Sequence, residues 1–223
     1  MSEDSATWRE QAMDRVLSPA RVRAEERLQS FFDAALDLMQ TSHGTDFTVQ
    51  EVVERSGQSL RSFYQYFDGK YALLLALFDD SVRTTTDELR ELVATEADPL
   101  ARLHRVAVEY YRLCVPASKG KRARKRSPRA LAEFSLQLLT EHPKEASQAF
   151  VPLLALFEEL LDQAAVAGYV RPNLTHSRTA GVVLQALMFN AFASIISGSS
   201  TTGQGGDPAE ELWDLLLHGI AIR

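Results

Sequence analysis

Cysteine is almost missing from the 223 residues: Cys114 stands alone. A single thiol excludes an intramolecular disulfide framework and gives no basis for a cysteine-rich zinc fold. No run of about 18 apolar residues occurs, so no bilayer-spanning helix is expected. The opening MSEDSATWRE has early acids and no apolar stretch, so no secretory signal is expected and the chain reads as cytoplasmic. Catalytic signatures are lacking as well. There is no GxSxG, no GxxxxGK phosphate loop, no GxGxxG and no HExxH. The histidines His43, His104, His142, His176 and His218 include no i, i+4 pair for a metal. Asp79-Asp80 and Glu158-Glu159 are neighbours in sequence and point to different helix faces. Neither an enzyme nor a bound cofactor is expected.

What is present is apolar and unevenly charged. Hydrophobic residues make up 45%, enough for a core, and 24 Lys+Arg against 30 Asp+Glu give a net charge of -6. Such a balance argues against a protein that coats nucleic acid over its whole surface. The run KGKRARKRSPR, 119–129, holds Lys119, Lys121, Arg122, Arg124, Lys125, Arg126 and Arg129 and no acid, which leaves 17 basic against 30 acidic residues elsewhere. It reads as a solvated loop, or as a phosphate-seeking patch.

Apolar spacings of three and four run throughout, and no strand-like alternation or internal repeat competes. The fold class is therefore all-α, with about nine helices. Leu28, Phe31, Phe32, Ala35, Leu36, Leu38 and Met39 define a first helix from Arg21 to about Thr41, with Pro19 near its start and Gly44 after its end. Thr48 and Glu51 form a capping box for a short second helix, Val49 to Ser56. Gly57 supplies the turn, and Ser59 caps a third helix to about Phe67. Further helices are expected at 70–94, 99–115, 128–140, 143–167, 174–197 and 208–220, with the Gly/Ser/Thr stretch 198–206 as a loop.

Two short helices around a glycine turn bury little alone, so they must pack on the first helix as a three-helix head. Val49, Val52 and Val53 form the inward face of the second helix, and Leu60, Phe63 and Phe67 that of the third. That leaves Arg61, Ser62, Tyr64, Gln65 and Tyr66 outward. Arg and Gln read base edges, whereas Ser, Tyr and Lys bond phosphates. From spacing alone the alternative is an ordinary hydrated helix, because helix-turn-helix motifs carry weak compositional cues.

The run FTVQEVVERSGQSLRSFYQYFDGKYALLLALF, 47–78, resembles the N-terminal signature of tetracycline-repressor-like (TetR family) transcriptional regulators. The matching residues are Thr48-Val49, Val52-Val53, Gly57, Ser59, Ser62-Phe63-Tyr64-Gln65-Tyr66-Phe67 and Lys70 through Leu73-Leu74. The resemblance covers roughly residues 21 to 80. It implies a DNA-binding head in which Ser62, Tyr64, Tyr66, Lys70 and Thr48 touch phosphates and Gln65 and Gln50 read bases. Gln58, Leu60 and Arg61 depart from the usual pattern, Gln58 and Ser59 standing at the turn and cap of the DNA-contacting set. The resemblance divides the chain into an N-terminal arm, 1–20, a helix-turn-helix domain, 21–69, and a ligand-binding and dimerisation domain, 70–223. Residues 55–70 carry Arg55, Arg61 and Lys70 against Asp68, a small positive surplus, so weak non-specific DNA binding is expected. Arg9, Arg15, Arg21 and Arg23 in and after the arm are offset by Glu3, Asp4, Glu10 and Asp14, which favours a tail that does not touch DNA.

The C-terminal half carries the second function. The helix TAGVVLQALMFNAFASII is apolar nearly all round, and Leu212, Trp213, Leu215, Leu216, Leu217 and Ile220 give the last helix a wide apolar face. The resemblance implies that these two helices pair with their twofold mates in a homodimer that reads a pseudo-palindromic duplex operator. It also implies a cavity for an unidentified, largely apolar effector. Candidate lining residues are Tyr110, Phe134, Gln137, Phe157, Gln185 and Phe189; Tyr111 is a further aromatic of the core, and Asn190 falls in the cavity or the dimer seam. The expected protein is a ligand-responsive regulator, a repressor rather than an activator. The alternative is a ligand-binding carrier or adaptor that no longer regulates transcription.

Overall fold

The structure is a computed structural model. It describes residues 8–41, 44–115, 128–171, 173–197 and 206–221, without the side chains of 8–18, 128–132 and 194–197. The basic residues Lys119 to Arg126, the first seven residues of the arm and the glycine-rich loop up to 205 therefore lie outside the described residues, with the expectations attached to them.

Among the described residues the chain is all-α: α1 (Trp8–Thr41), α2 (Val49–Ser56), α3 (Leu60–Tyr66), α4 (Lys70–Leu92), α5 (Pro99–Cys114), α6 (Pro128–Glu141), α7 (Pro143–Val166), α8 (His176–Ser197) and α9 (Pro208–Ile220). The one extended pairing among these residues is an isolated bridge, Val170 to Ala221. The first helix starts earlier than its apolar spacing implies. Its backbone stays helical through Pro19, although proline cannot donate to the carbonyl four residues before it.

Local chemistry sets most of the ends. Thr48 Oγ1 accepts from the Glu51 amide at 3.2 Å, and a Glu51 carboxylate oxygen accepts from the Thr48 amide at 2.7 Å. That is the reciprocal capping box read from the sequence. Asp98 and Asp207 cap α5 and α9 by accepting from the amides of Ala101 and Ala209, each at 3.0 Å, and a proline follows each cap. Gly57 closes α2 in the left-handed region at φ 66°. A Cβ there would meet nothing within 4 Å, so the penalty for any other residue is purely conformational. Gly57→Ala is expected to cost the head roughly 1–2 kcal/mol, read as a lower denaturation midpoint with unchanged far-ultraviolet dichroism of the native state.

The chain divides into two compact units, 1–74 and 75–223, and the division falls within α4. In the first, α2 packs against α1 and α3. Its core holds Phe31, Phe47, Phe63 and Leu73, all fully buried. In the second, α5 packs against α7, α8 and α9, while α6 lies against α7 and α8. The buried residues there include Leu103, Tyr110, Phe157, Leu161 and Leu187. No helix among the described residues is long and apolar enough to cross a membrane.

Candidate nucleic-acid interface

α3 is held by an aromatic cluster. The Phe63 ring meets Phe31 of α1 edge-on at 5.5 Å and lies 5.3 Å from Phe67, which in turn meets Phe31 at 5.9 Å. Edge-to-face contacts of this kind add about 0.5–1.5 kcal/mol beyond the area buried. Tyr66 leans the same way, its ring 6.2 Å from Phe31, and is half-buried.

This packing rotates α3 relative to the face its apolar spacing implies. Residues i and i+4 share a helix face. The Ser62–Tyr66 row follows the Tyr66 ring toward α1, so the Ser62 hydroxyl is buried and has no hydrogen-bond partner, while its amide donates to Ser59 Oγ at 3.0 Å. The expectation that Ser62 faces outward toward phosphate is thus corrected, and Tyr66 lies at the rim. Leu60, expected in the core, is instead 43% exposed. Two rows face outward: Leu60 with Tyr64, and Arg61 with Gln65. Tyr64 is 56% exposed, its ring stacked edge-on against Phe63. Among the described residues nothing hydrogen-bonds the side chains of Arg61, Tyr64 or Gln65.

Around α3 the other predicted residues are partly engaged within the head. The Thr48 hydroxyl serves the capping box, and Gln50 donates to Glu54 Oε1 at 2.9 Å. Ser59 caps α3, and Gln58 is half-buried in the turn. Lys70 donates to the Thr45 carbonyl at 3.1 Å and sits 5.7 Å over the Phe47 ring. Arg55 is paired with Asp37. Of the three basic residues between 55 and 70, Arg61 alone is neither ion-paired nor hydrogen-bonded among the described residues.

In the second unit the proposed ligand residues separate. Tyr110, Phe134 and Phe157 are buried, the Tyr110 and Phe157 rings 5.9 Å apart and Phe134 against Phe78 at 6.2 Å. Burial first, and then Cys114, push the Tyr110 phenol well above its usual value, so it stays protonated. Gln137, Gln185 and Phe189 are exposed, which corrects their assignment to an interior cavity. Gln137 lies on the outer side of α6 and donates to Glu141 at 3.0 Å. Gln185 and Phe189 share the outer face of α8 with Val182, at spacings of three and four. Asn190 is also outward, yet its Oδ1 accepts from Tyr111 Oη at 3.0 Å.

A cleft of about 440 Å³ is lined by Leu92, Glu96, His104, Arg105, Glu109, Arg112 and Glu210 among others, and by none of the six candidates. An ion cluster at its edge joins α5 to α9. Arg112 bonds Asp207 at 2.5 Å, and His104 Nε2 lies 2.6 Å from Glu210. These partners are 95 and 106 residues apart, and nothing local in the sequence announces them. The Arg112 hydrogen bond holds the Asp207 carboxyl below the usual carboxylate range. A lowered folded-state value stabilises above the unfolded value and is lost as pH falls through the folded one. Acidification below about pH 4 is therefore expected to lower the melting temperature partly through Asp207. In Asp207→Asn that acid limb should be shallower, as measured by melts from pH 3 to 7.

Residues 31–77 match the family model for bacterial regulatory proteins of the tetR family. No curated protein matches the chain. Among solved structures, the fatty acid degradation regulator FadR of Bacillus halodurans superposes with a TM-score of 0.68 at 18% identity, over 86% of this chain and 94% of that one. The FadR of Bacillus subtilis, in complex with stearoyl-CoA, gives 0.62 at 15% identity, over 86% and 98%. The reduced form of E. coli NemR gives 0.63 at 16%, over 88% and 97%. The class defined by fold and head is an all-α protein with a helix-turn-helix head. The head thus matches the tetR regulatory-protein model, and the chain shares the all-α fold of solved structures described as TetR-family transcriptional regulators.

Proposed function

We propose that the chain is a homodimeric repressor that grips a pseudo-palindromic duplex operator through α3 and is released by a small, largely apolar effector. The observation that carries this reading is the outward face of α3. An arginine, a glutamine and a tyrosine lie side by side there, unengaged by the described residues, on a helix whose opposite face is locked by Phe63 and Phe67. A rigid helix presenting such groups suits the major groove.

Dimerisation is supported by apolar side chains that one chain leaves uncovered. Val182 and Phe189 of α8 are 57% and 45% exposed, and Leu215 of α9 is 70% exposed. Large side chains of this kind on two packed helices mark a contact surface. The effector reading is supported by the buried aromatics Tyr110, Phe134 and Phe157, and by the fold shared with a FadR in complex with stearoyl-CoA. An effector acts only through differential affinity for two states, and α4, continuous across the division between the units, is the element we assign to carry the change.

Mobility-shift titration against the intergenic duplex flanking the protein's own gene tests the reading. A specific complex is expected at about 10 nM protein or below in moderate salt. Binding no tighter than to a scrambled duplex of equal length, for every flanking fragment, contradicts it.

A further inference from the structure

Leu60, an apolar residue on the first turn of α3, leaves 43% of its surface exposed. It lies in the same outward row as Tyr64 and next to Arg61. It borders Phe63, three residues on, and lies away from the Ser62–Tyr66 row that turns to the core. Whatever α3 docks against therefore meets a branched aliphatic group flanked by a guanidinium. The major groove offers one apolar feature on its base edges, the C5-methyl of thymine, while guanine offers the paired acceptors that suit arginine.

We propose that Leu60 is a specificity-determining residue that packs on a thymine methyl in each half-site, beside a base read by Arg61. The inference rests on the DNA-binding reading above and deepens it. A methyl contact is non-directional and carries no charge, so it discriminates bases without contributing to phosphate neutralisation. Leu60 should therefore govern which base is preferred at one position, leaving the salt dependence of binding untouched. Arg61 differs, since its charge contributes to both.

The test uses the full-length protein and duplexes selected by it from a random pool. Each thymine of the selected site is replaced in turn by deoxyuridine, which removes the methyl alone. One replacement per half-site is expected to weaken wild-type binding by about three- to tenfold, the scale of one lost buried methyl. Leu60→Ala should stay folded, bind the thymine and uracil duplexes equally and keep the wild-type salt slope. Arg61→Ala should keep the thymine preference. If specific binding occurs but no uracil replacement weakens it, or if Leu60→Ala retains the discrimination, the role of Leu60 is refuted while the DNA-binding reading stands. If selection enriches no sequence at all, both fall together.

Discussion

Replacing Phe63 with alanine is expected to unfold the head and abolish DNA binding while leaving residues 75–223 helical. Phe63 is fully buried and touches Phe31, Tyr64 and Phe67 through its ring. Truncating a buried phenylalanine costs about 3–5 kcal/mol. A three-helix unit of this size buries a modest core, so a loss on that scale is comparable with its whole stability. The check is a pair of measurements on one variant: amide exchange by mass spectrometry, and duplex affinity. Exchange should rise across α1 to α3 and stay at the wild-type level in α5, α7 and α8. Wild-type protection of α3 in Phe63→Ala would show that the aromatic cluster does not hold the probe helix.

Placing a charge on the uncovered apolar surface should have the second large effect. Leu215→Glu is expected to yield a folded monomer, because Leu215 is already mostly solvent-exposed within one chain and its replacement disturbs little of the core. In a dimer that buries this face, the same carboxylate is desolvated and unpaired, which is strongly unfavourable. Loss of the second head removes the gain from joining two sites, about a hundredfold or more in operator affinity. Sedimentation velocity and anisotropy on one preparation separate the two consequences. A dimer of wild-type strength in Leu215→Glu would place the interface elsewhere, and monomeric protein with undiminished affinity would break the link between dimerisation and recognition.

The features that sequence reasoning reached were the local ones. The Thr48–Glu51 box, the turn at Gly57 and the Ser59 cap each depend on residues within a turn of one another. The helices they bound accordingly fell close to their expected limits. The orientation of α3 was out of reach, because it is set by Phe31, some thirty residues earlier in α1, rather than by the period of α3 itself. Leu60, Phe63 and Phe67 satisfy an inward i, i+3, i+7 pattern, yet the half-buried Tyr66 takes the place on the core side that Leu60 was expected to hold. The ligand residues divided for a related reason. Gln137, Gln185 and Phe189 interrupt or extend apolar stretches, and only the packing of α6 and α8 on their neighbours shows that these positions face away. The head was also recognisable as a family motif, whereas the second unit offered only a helical layout.

Anisotropy of one labelled operator duplex, titrated with wild-type protein and with the Arg61→Ala/Gln65→Ala double variant, tests the central claim most directly. Both side chains are exposed and unengaged among the described residues, so the double variant should melt with the wild type. The outward face of α3 as the reading surface predicts that most of the preference for the operator over a scrambled duplex is lost in this variant. An unchanged preference would contradict it.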